Sequence, residues 1–239
     1  MMKAIFFAFM SVFNVPIEIA EKAITSVESL HFDKFLVANY TTYTFDVRTA
    51  IVVSCLTDYG PGSKLLCPLL HLNKWEQKNV YITLLDDDNV YLPYVKAAVE
   101  AHVNPNNAVS FWGYQVGNHI VLQGADAFTF HSRHTHSVHR WYDFITTKFP
   151  FLKWHDDVWI SFYLDMQNVA RSIIPRKKGW NQGAYAEMCT PPTCTGLYFA
   201  LGNKSRSYIN NKVKWQFLPF YDEILARHLL KMSGAQYVI

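Results

Sequence analysis

Cysteine is scarce in this chain of 239 residues. The four cysteines are Cys55, Cys67, Cys189 and Cys194, and no two of them have the CxxC spacing of a zinc-binding pair. This scarcity disfavours a disulfide-rich secreted fold, so we expect a protein of a reducing compartment, the cytoplasm. Long apolar runs are also lacking, and none approaches the roughly 20 residues of a membrane-spanning helix. We therefore expect no transmembrane segment.

Charge of one sign is lacking as well. The formal net charge of +3 is too small to predict a nucleic-acid partner, although it suits an anionic small substrate such as a nucleotide diphosphate. Hydrophobic residues make up 50% of the chain and aromatic residues 16%, which predicts a packed core rather than disorder. No linker rich in Gly, Ser or Pro divides the sequence, so we expect a single domain.

The apolar pattern predicts an α/β fold in which a mixed sheet is flanked by helices. The predicted strands of the first half cover residues 3–12, 35–38, 50–55 and 80–85. The helices between and after them begin at Pro16, cover 65–72 with an interruption at Pro68, and lie within 91–102. The second half is expected to contain two or three strands over 108–130 and helices over 141–148, 156–167 and 219–232.

Three adjacent carboxylates, Asp86, Asp87 and Asp88, follow the predicted strand over 80–85. Their mutual repulsion is costly unless solvent or a cation compensates it. Mg²⁺ and Mn²⁺ are commonly held by one or two carboxylates together with substrate phosphates. If the strand continues through the triplet, Asp86 and Asp88 point into one cleft and Asp87 points away. Open α/β sheets bind ligands at the ends of such strands, which favours a metal site over a solvated acidic loop.

A second acidic pair, Asp156 and Asp157, begins a helix that is predicted to be amphipathic. Carboxylates in the first turn stabilise a helix through its dipole, so capping is the simpler interpretation of the pair alone. Beside a metal site, one of the two becomes a candidate general base that takes the proton of an acceptor hydroxyl.

The residues from Asp58 to Lys64 form the turn-like segment DYGPGSK, which leads into a helix. Lys64 is a candidate contact for a phosphate, although turns of this composition are usually structural. The segment lacks the Walker spacing and the GxGxxG fingerprint, which argues against a P-loop nucleotidase and a dinucleotide-binding dehydrogenase. The histidines at 131, 134, 136 and 139 match no zinc spacing, and the basic residues at 171 and 176–178 are typical of a solvated face.

In their order along the chain, these segments resemble inverting glycosyltransferases of the GT-A type. The closest likeness is to a small family of rhamnosyltransferase-like domains from algal viruses and microbes. It covers about the first 170 residues and rests on the opening strand with its Pro16 helix, TDYGPGSK at 57–64, YITLLDDD at 81–88, QGAD at 123–126 and WHDDVWIS at 154–161.

The resemblance implies a GT-A-like, Rossmann-like domain with a nucleotide-sugar-binding half over 1–105 and an acceptor-binding half over 106–239. The donor-binding residues that it implies are Asp58, Tyr59, Lys64, Asp86 and Asp87. The implied DxD metal ligands are Asp86 and Asp88, and the implied acceptor-binding residues are Gly124, Ala125 and Asp126. Asp156 would be the catalytic base, with Asp157 as its close rival.

The expected activity is the transfer of a sugar from a nucleotide-sugar donor to a hydroxyl group of a glycan or another acceptor. Mn²⁺ or Mg²⁺ is the expected cofactor, and the anomeric configuration is expected to invert. A nucleotidyltransferase or phosphohydrolase is an alternative, and it would convert the nucleotide without a sugar acceptor. An inactive carbohydrate-binding domain is the other, and it would bind sugar without metal-stimulated turnover.

Overall fold

The computed structural model describes residues 4–13, 15–116, 118–174 and 189–190. Its strands are β1 Phe6–Val12, β2 Lys34–Asn39, β3 Ile51–Val53, β4 Tyr81–Leu85, β5 Val90–Tyr91, β6 Asn107–Ser110, β7 Gly113–Val116, β8 His119–Leu122, β9 Phe128–His131, β10 Ala170–Ile173 and β11 Cys189–Thr190. Its α-helices are α1 Ile17–Glu28, α2 Ser63–Leu69, α3 Glu76–Asn79, α4 Val95–His102, α5 Val138–Lys148 and α6 Asp156–Met166. Short 3₁₀ segments comprise Gly60–Gly62, Gly124–Asp126, Ser132–Thr135 and Pro150–Trp154.

Seven of the described strands form one mixed sheet in the spatial order β10-β6-β9-β4-β1-β2-β3. Strand β1 pairs in parallel with β2 and β4, and β2 pairs in parallel with β3. Strand β9 runs antiparallel to its neighbours β4 and β6. The chain extends the sheet from β1 to one side with β2 and β3, and then crosses to the other side with β4. The strand order therefore reverses between β1 and β4, which is where open α/β sheets bind ligands.

The sheet is buried on both faces, as the apolar sequence of β1 requires. Phe7 and Phe9 point into one core, which α2, α5 and α6 cover. Phe6, Ala8 and Met10 point into a second core, which is covered by α1 and α4. Because successive side chains of a strand alternate between its faces, this division follows directly from the period of two. The prediction of a mixed sheet flanked by helices is confirmed.

The elements of the first half lie close to their predicted positions. The strand expected over 80–85 is β4, and it ends at Leu85, so the carboxylate triplet lies in a turn and not in the strand. The alternating directions expected for its side chains therefore do not apply. Helix α2 runs through Pro68, which is a correction to the predicted interruption. The helix expected within 91–102 begins at Val95, after the strand β5 and a turn over 92–94.

The second half departs further from the expectation. Four strands, β6 to β9, occupy the region for which two or three were predicted, and β10 was not predicted. Helix α6 is not amphipathic, because every residue from Val158 to Leu164 is at most 2% exposed. The basic residues 176–178 and the closing helix predicted over 219–232 lie outside the described residues.

None of the helices in the described ranges has the length and apolar character needed to cross a membrane. The longest of them, α1, has 12 residues, against the roughly 20 that a bilayer requires.

Gly62 fixes the distance between the start of α2 and helix α6. A methyl group added at Gly62 would lie 2.6 Å from Cζ2 of Trp159, which is fully buried in α6. We expect Gly62→Ala to destabilise the fold by about 1–3 kcal/mol, the usual cost of overpacking a core. Urea unfolding measures this loss. The variant Gly62→Ala/Trp159→Phe removes the atom that clashes and should recover part of the lost stability, whereas wild-type stability of Gly62→Ala would contradict the packing described.

Candidate functional site

A cluster of charged side chains lies at the carboxyl end of β4, beside the reversal of strand order. Asp86 follows β4 directly, and Lys64 lies in the first turn of α2. Asp156 and Asp157 begin α6, and Gly124 begins the 3₁₀ segment after β8. Four segments that are separated in the sequence thus meet at one edge of the sheet, in the region where this class of sheet binds ligands.

Lys64 is the centre of this cluster. Its ammonium group forms an ion pair and a hydrogen bond with Asp86 Oδ1, and it lies 3.0 Å from Asp156 Oδ2. The second contact is an ion pair rather than an aligned hydrogen bond. Burial alone would lower the pKa of Lys64, but the carboxylates of Asp156 and Asp86 outweigh it and raise this pKa. Because its pKa is raised, Lys64 stays positively charged. Its side chain is only 5% exposed and connects the two acidic segments.

Gly124 brings the backbone next to the Lys64 ammonium and the Asp157 carboxyl group. Its N–H donates a hydrogen bond of 2.7 Å to Asp157 Oδ1. A methyl group added at Gly124 would lie 3.1 Å from Lys64 Nζ and 3.2 Å from Asp157 Oδ1. The absence of a side chain at 124 therefore allows the turn after β8 to approach the cluster this closely.

Asp157 differs from its neighbour Asp156 in its environment. The Asp157 carboxyl is half-buried and is hydrogen-bonded to a neutral N–H, whereas Asp156 is buried against the Lys64 ammonium. Burial and the adjacent charge of Asp156 raise the pKa of Asp157 from 3.8 to about 7, although Lys64 and the Gly124 N–H act in the opposite direction. A group with this pKa exchanges protons near neutral pH, as a general base requires.

Asp87 joins the acidic turn to the end of β1. Its Oδ2 accepts a hydrogen bond of 3.1 Å from the backbone N–H of Phe13, which follows β1. Burial and the neighbouring charge of Asp88 raise the pKa of Asp87 to about 7. The Asp87 side chain therefore links the turn after β4 to the end of β1, beside the reversal of strand order. Asp86 and Asp88 precede and follow it in the sequence.

The charge of the cluster is not balanced. Five carboxyl groups, at Asp86, Asp87, Asp88, Asp156 and Asp157, outnumber the Lys64 ammonium. In the part of the chain that the structure describes, there is no group of three or more His, Cys, Asp or Glu side chains that could hold a metal ion. Mg²⁺ and Mn²⁺ do not require one, because one or two carboxylates and substrate phosphates are their usual ligands. The excess of carboxylates next to Asp86 and Asp88 fits such a cation.

The other predicted donor residues, Asp58 and Tyr59, contact a different set of groups. Asp58 Oδ1 accepts a hydrogen bond of 2.6 Å from the Gly60 N–H, and its Oδ2 lies 3.0 Å from Lys153 Nζ. The ring of Tyr59 packs edge-on against Tyr142, at a centroid distance of 5.3 Å. Both residues thus stabilise the turn before α2, and their role in donor binding stays a prediction.

The predicted acceptor segment Gly124–Asp126 is divided between the cluster and the core. Gly124 lies at the cluster, as described above. The Asp126 side chain is fully buried, and its backbone oxygen accepts hydrogen bonds from Phe111 N at 3.0 Å and Ser110 Oγ at 2.9 Å. Ala125 follows Gly124 in the same 3₁₀ segment. Of these three residues, Gly124 is the one with described contacts to the charged cluster.

A network of hydrogen bonds and ion pairs that the sequence did not suggest connects β8, α6 and β10. His119 Nδ1 in β8 lies 2.5 Å from Asp165 Oδ2 in α6, and Arg171 in β10 pairs with the other oxygen of Asp165. Arg171 also donates a hydrogen bond of 2.5 Å to the Ser161 carbonyl oxygen. The solvated face predicted at 171 is therefore wrong, since the Arg171 side chain is 7% exposed. The network ties β8, which leads to Gly124, to the helix that carries Asp156.

Phe13 and Tyr40 form an aromatic pair that the sequence analysis missed. They follow β1 and β2, and their rings stack at a centroid distance of 4.4 Å and an angle of 7°. The Tyr40 hydroxyl donates a hydrogen bond of 2.9 Å to the Thr57 carbonyl oxygen. The sequence could have indicated this pair, because each ring directly follows one of two neighbouring parallel strands. Residues in such positions lie at the same edge of the sheet, the edge at which open α/β sheets bind ligands.

The raised pKa of Asp157 predicts how stability depends on pH. An unfolded Asp ionises near 3.8 and the folded one near 7, so the folded state binds more protons between these values and stability falls as pH rises. The full shift corresponds to about 4 kcal/mol, which partial exposure reduces to about 1–2 kcal/mol. We expect Asp157→Asn to be more stable than the wild type at pH 8 but not at pH 4.

Thermal unfolding at the two pH values measures this difference. Asp143→Asn, at an exposed position of α5, is the matched control and should follow the wild type at both pH values. Equal pH dependence of Asp157→Asn and Asp143→Asn would show that Asp157 is not perturbed by the cluster.

Comparisons with known proteins assign no family. No protein-family model and no curated protein matches this chain. A functional assignment therefore depends on the geometry of the cluster.

Proposed function

We propose that this chain is a glycosyltransferase that moves a sugar from a nucleotide-sugar donor to an acceptor hydroxyl. The observation that carries the proposal is the meeting of Asp86, at the switch point of the sheet, with the acidic pair that begins α6, through Lys64. One acidic segment lies where nucleotides bind to open α/β sheets, and the other supplies a carboxylate whose pKa is near neutrality. Direct transfer of a sugar from a nucleotide-sugar to an acceptor hydroxyl needs a nucleotide site and a general base next to each other.

The donor would occupy the edge formed by the ends of β1, β2 and β4. The stacked rings of Phe13 and Tyr40 offer a surface for a nucleobase, since aromatic side chains stack with any base. Asp86 and Asp88 would hold Mn²⁺ or Mg²⁺ together with the diphosphate. The ion would neutralise the charge that develops on the departing diphosphate.

The proton of the acceptor hydroxyl would pass to Asp157. As it leaves, a bond forms between the acceptor oxygen and the anomeric carbon, and the bond from that carbon to the diphosphate oxygen breaks. A single displacement of this kind inverts the anomeric configuration. Asp157 suits this role better than Asp156, because Asp157 is more accessible and Asp156 is engaged by the Lys64 ammonium.

Asp156 would be a positioning residue that holds the base and the donor at the correct distance, and it would not itself take the proton. Its ion pair with Lys64 connects the start of α6 to the acidic turn after β4, and so sets the distance between the base and the donor. Both side chains are buried, so this connection would help to fix the geometry that the displacement requires.

A screen of nucleotide-sugars with Mn²⁺ or Mg²⁺ tests the proposal. Release of the nucleoside diphosphate is measured with and without mono- and oligosaccharide acceptors. We expect metal-dependent release from one donor and an acceptor-dependent increase in its rate. Release of phosphate from nucleotides that carry no sugar would instead identify a phosphohydrolase. Sugar binding without any turnover would identify a carbohydrate-binding domain.

A further inference from the structure

The Lys64 ammonium already occupies one oxygen of the carboxylate that the proposed function assigns to a metal ion. It bonds to Asp86 Oδ1, and its second carboxylate partner, Asp156, does not belong to the predicted metal ligands. A divalent ion bound through Asp86 would thus share this carboxylate with a buried positive charge. Two cations on one carboxylate repel each other, and burial weakens the screening of that repulsion.

We propose that Lys64 makes binding of a divalent metal at Asp86 conditional on the nucleoside diphosphate. The inference rests on the proposed function, because it assumes that Asp86 and Asp88 are the metal ligands. In the free protein, Lys64 competes with the ion for Asp86 and keeps its affinity low. A diphosphate adds oxygen ligands for the ion and negative charge that offsets the repulsion, so the metal and the nucleotide bind together.

The charge of Asp156 affects how strongly Lys64 competes with the metal ion for Asp86. Asp156 draws the ammonium away from Asp86 towards α6, since both carboxylates contact the same Nζ. Asp157, the adjacent residue, has its described contact with the Gly124 N–H. Asp156 attracts the Lys64 ammonium more strongly than Asp157 does. Loss of the charge at 156 therefore concentrates Lys64 on Asp86 more than loss of the charge at 157.

Binding of Mn²⁺ alone to the free protein tests the proposal, with the free-ion signal in electron paramagnetic resonance as the readout. Lys64→Met removes the competing charge, so we expect an increase in affinity of about tenfold or more over the wild type. Lys64→Arg keeps the charge and should retain the weak wild-type affinity. In the wild type, addition of a nucleoside diphosphate should strengthen Mn²⁺ binding, and in Lys64→Met it should do so much less.

Lys64→Met removes the positive charge between two carboxylates, which can destabilise the fold, so a second pair of variants avoids dependence on its folding. At pH 8, where Asp157 is ionised as well, Asp156→Asn and Asp157→Asn remove the same charge from adjacent positions. We expect Asp156→Asn to bind Mn²⁺ several-fold more weakly than Asp157→Asn, because Lys64 then has Asp86 as its described carboxylate partner. Equal affinities of these two variants would overturn the proposal, as would an unchanged or lower affinity of folded Lys64→Met.

This result is separate from the test of the proposed function. If no nucleotide-sugar is turned over but Lys64→Met binds Mn²⁺ more tightly, the control of metal binding by Lys64 stands and the transferase assignment fails. If a donor is turned over but Lys64→Met shows no gain, the assignment stands and the competition is wrong. Absence of Mn²⁺ binding to every variant, with or without nucleoside diphosphate, would overturn the inference about Lys64.

Discussion

Asp157→Asn is expected to lower the rate of sugar transfer by about 10²- to 10⁴-fold, the range for loss of a general base. The amide keeps the size of the side chain and can still accept the hydrogen bond from Gly124, but it cannot take a proton at neutral pH. The loss should fall on kcat, with the affinity for the donor unchanged, because the interaction removed belongs to the chemical step. Single-turnover kinetics and calorimetry with the nucleoside diphosphate separate these two quantities.

Asp156→Asn is the comparison that decides between the adjacent carboxylates. It should reduce transfer less than Asp157→Asn, because Asp156 acts by holding Lys64 in place. A larger loss in Asp156→Asn would reverse the assignment of the base and keep the mechanism. Retention of the donor's anomeric configuration in the product, measured by nuclear magnetic resonance, would contradict the single displacement itself. Normal transfer by both variants would leave the pair as a helix cap.

Asp88→Ala is expected to remove the metal-dependent part of nucleotide binding. A diphosphate at this edge of the sheet would face five carboxyl groups, so its affinity depends on a cation that bridges the two sets of charges. We expect the affinity for a nucleoside diphosphate in the presence of Mn²⁺ to fall on the order of 100-fold, to the value measured without metal. Isothermal titration calorimetry with and without Mn²⁺ provides both values.

Asp143→Ala serves as the control for this measurement, because it removes an exposed aspartate from α5. It should leave the Mn²⁺-dependent affinity unchanged. If Asp88→Ala also binds the nucleotide with unchanged metal dependence, Asp88 is not a ligand and the acidic turn has another role. Thermal unfolding of both variants shows whether a loss of affinity reflects a loss of folded protein.

Much of the sheet could be predicted because its central strands are short runs of apolar residues. The sequence around β1 and β4 has no competing helical period, and the acidic turn ends β4 abruptly. The strand β10 could not be predicted in the same way. Its residues mix small, charged and apolar types, and what stabilises β10 is its pairing with β6, some sixty positions earlier in the chain. Pairing partners at this distance leave no local pattern.

The candidate site was predictable as a set of residue types but not as an arrangement. The motifs pointed to Asp86, Asp156 and Lys64 separately, and the fold brings these three into contact. Their spacing in the sequence contains no information about which carboxylate pairs with the lysine. The N–H of Gly124 could not be found from its residue type, because its function is a backbone donor in a turn. The pairing of Lys64 and the contact of the Gly124 N–H both became clear from interatomic distances in the structure.

The contacts of the candidate site join parts of the chain that are far apart in sequence. Phe13 and Asp87 are 74 positions apart, and Gly124 and Asp157 are 33 positions apart. Contacts of such long range are slow to form, because the intervening chain must first be ordered. If they are absent from the folding transition state, their removal accelerates unfolding and leaves the refolding rate nearly unchanged. The acidic cluster would then govern the lifetime of the native state more than the speed at which it is reached.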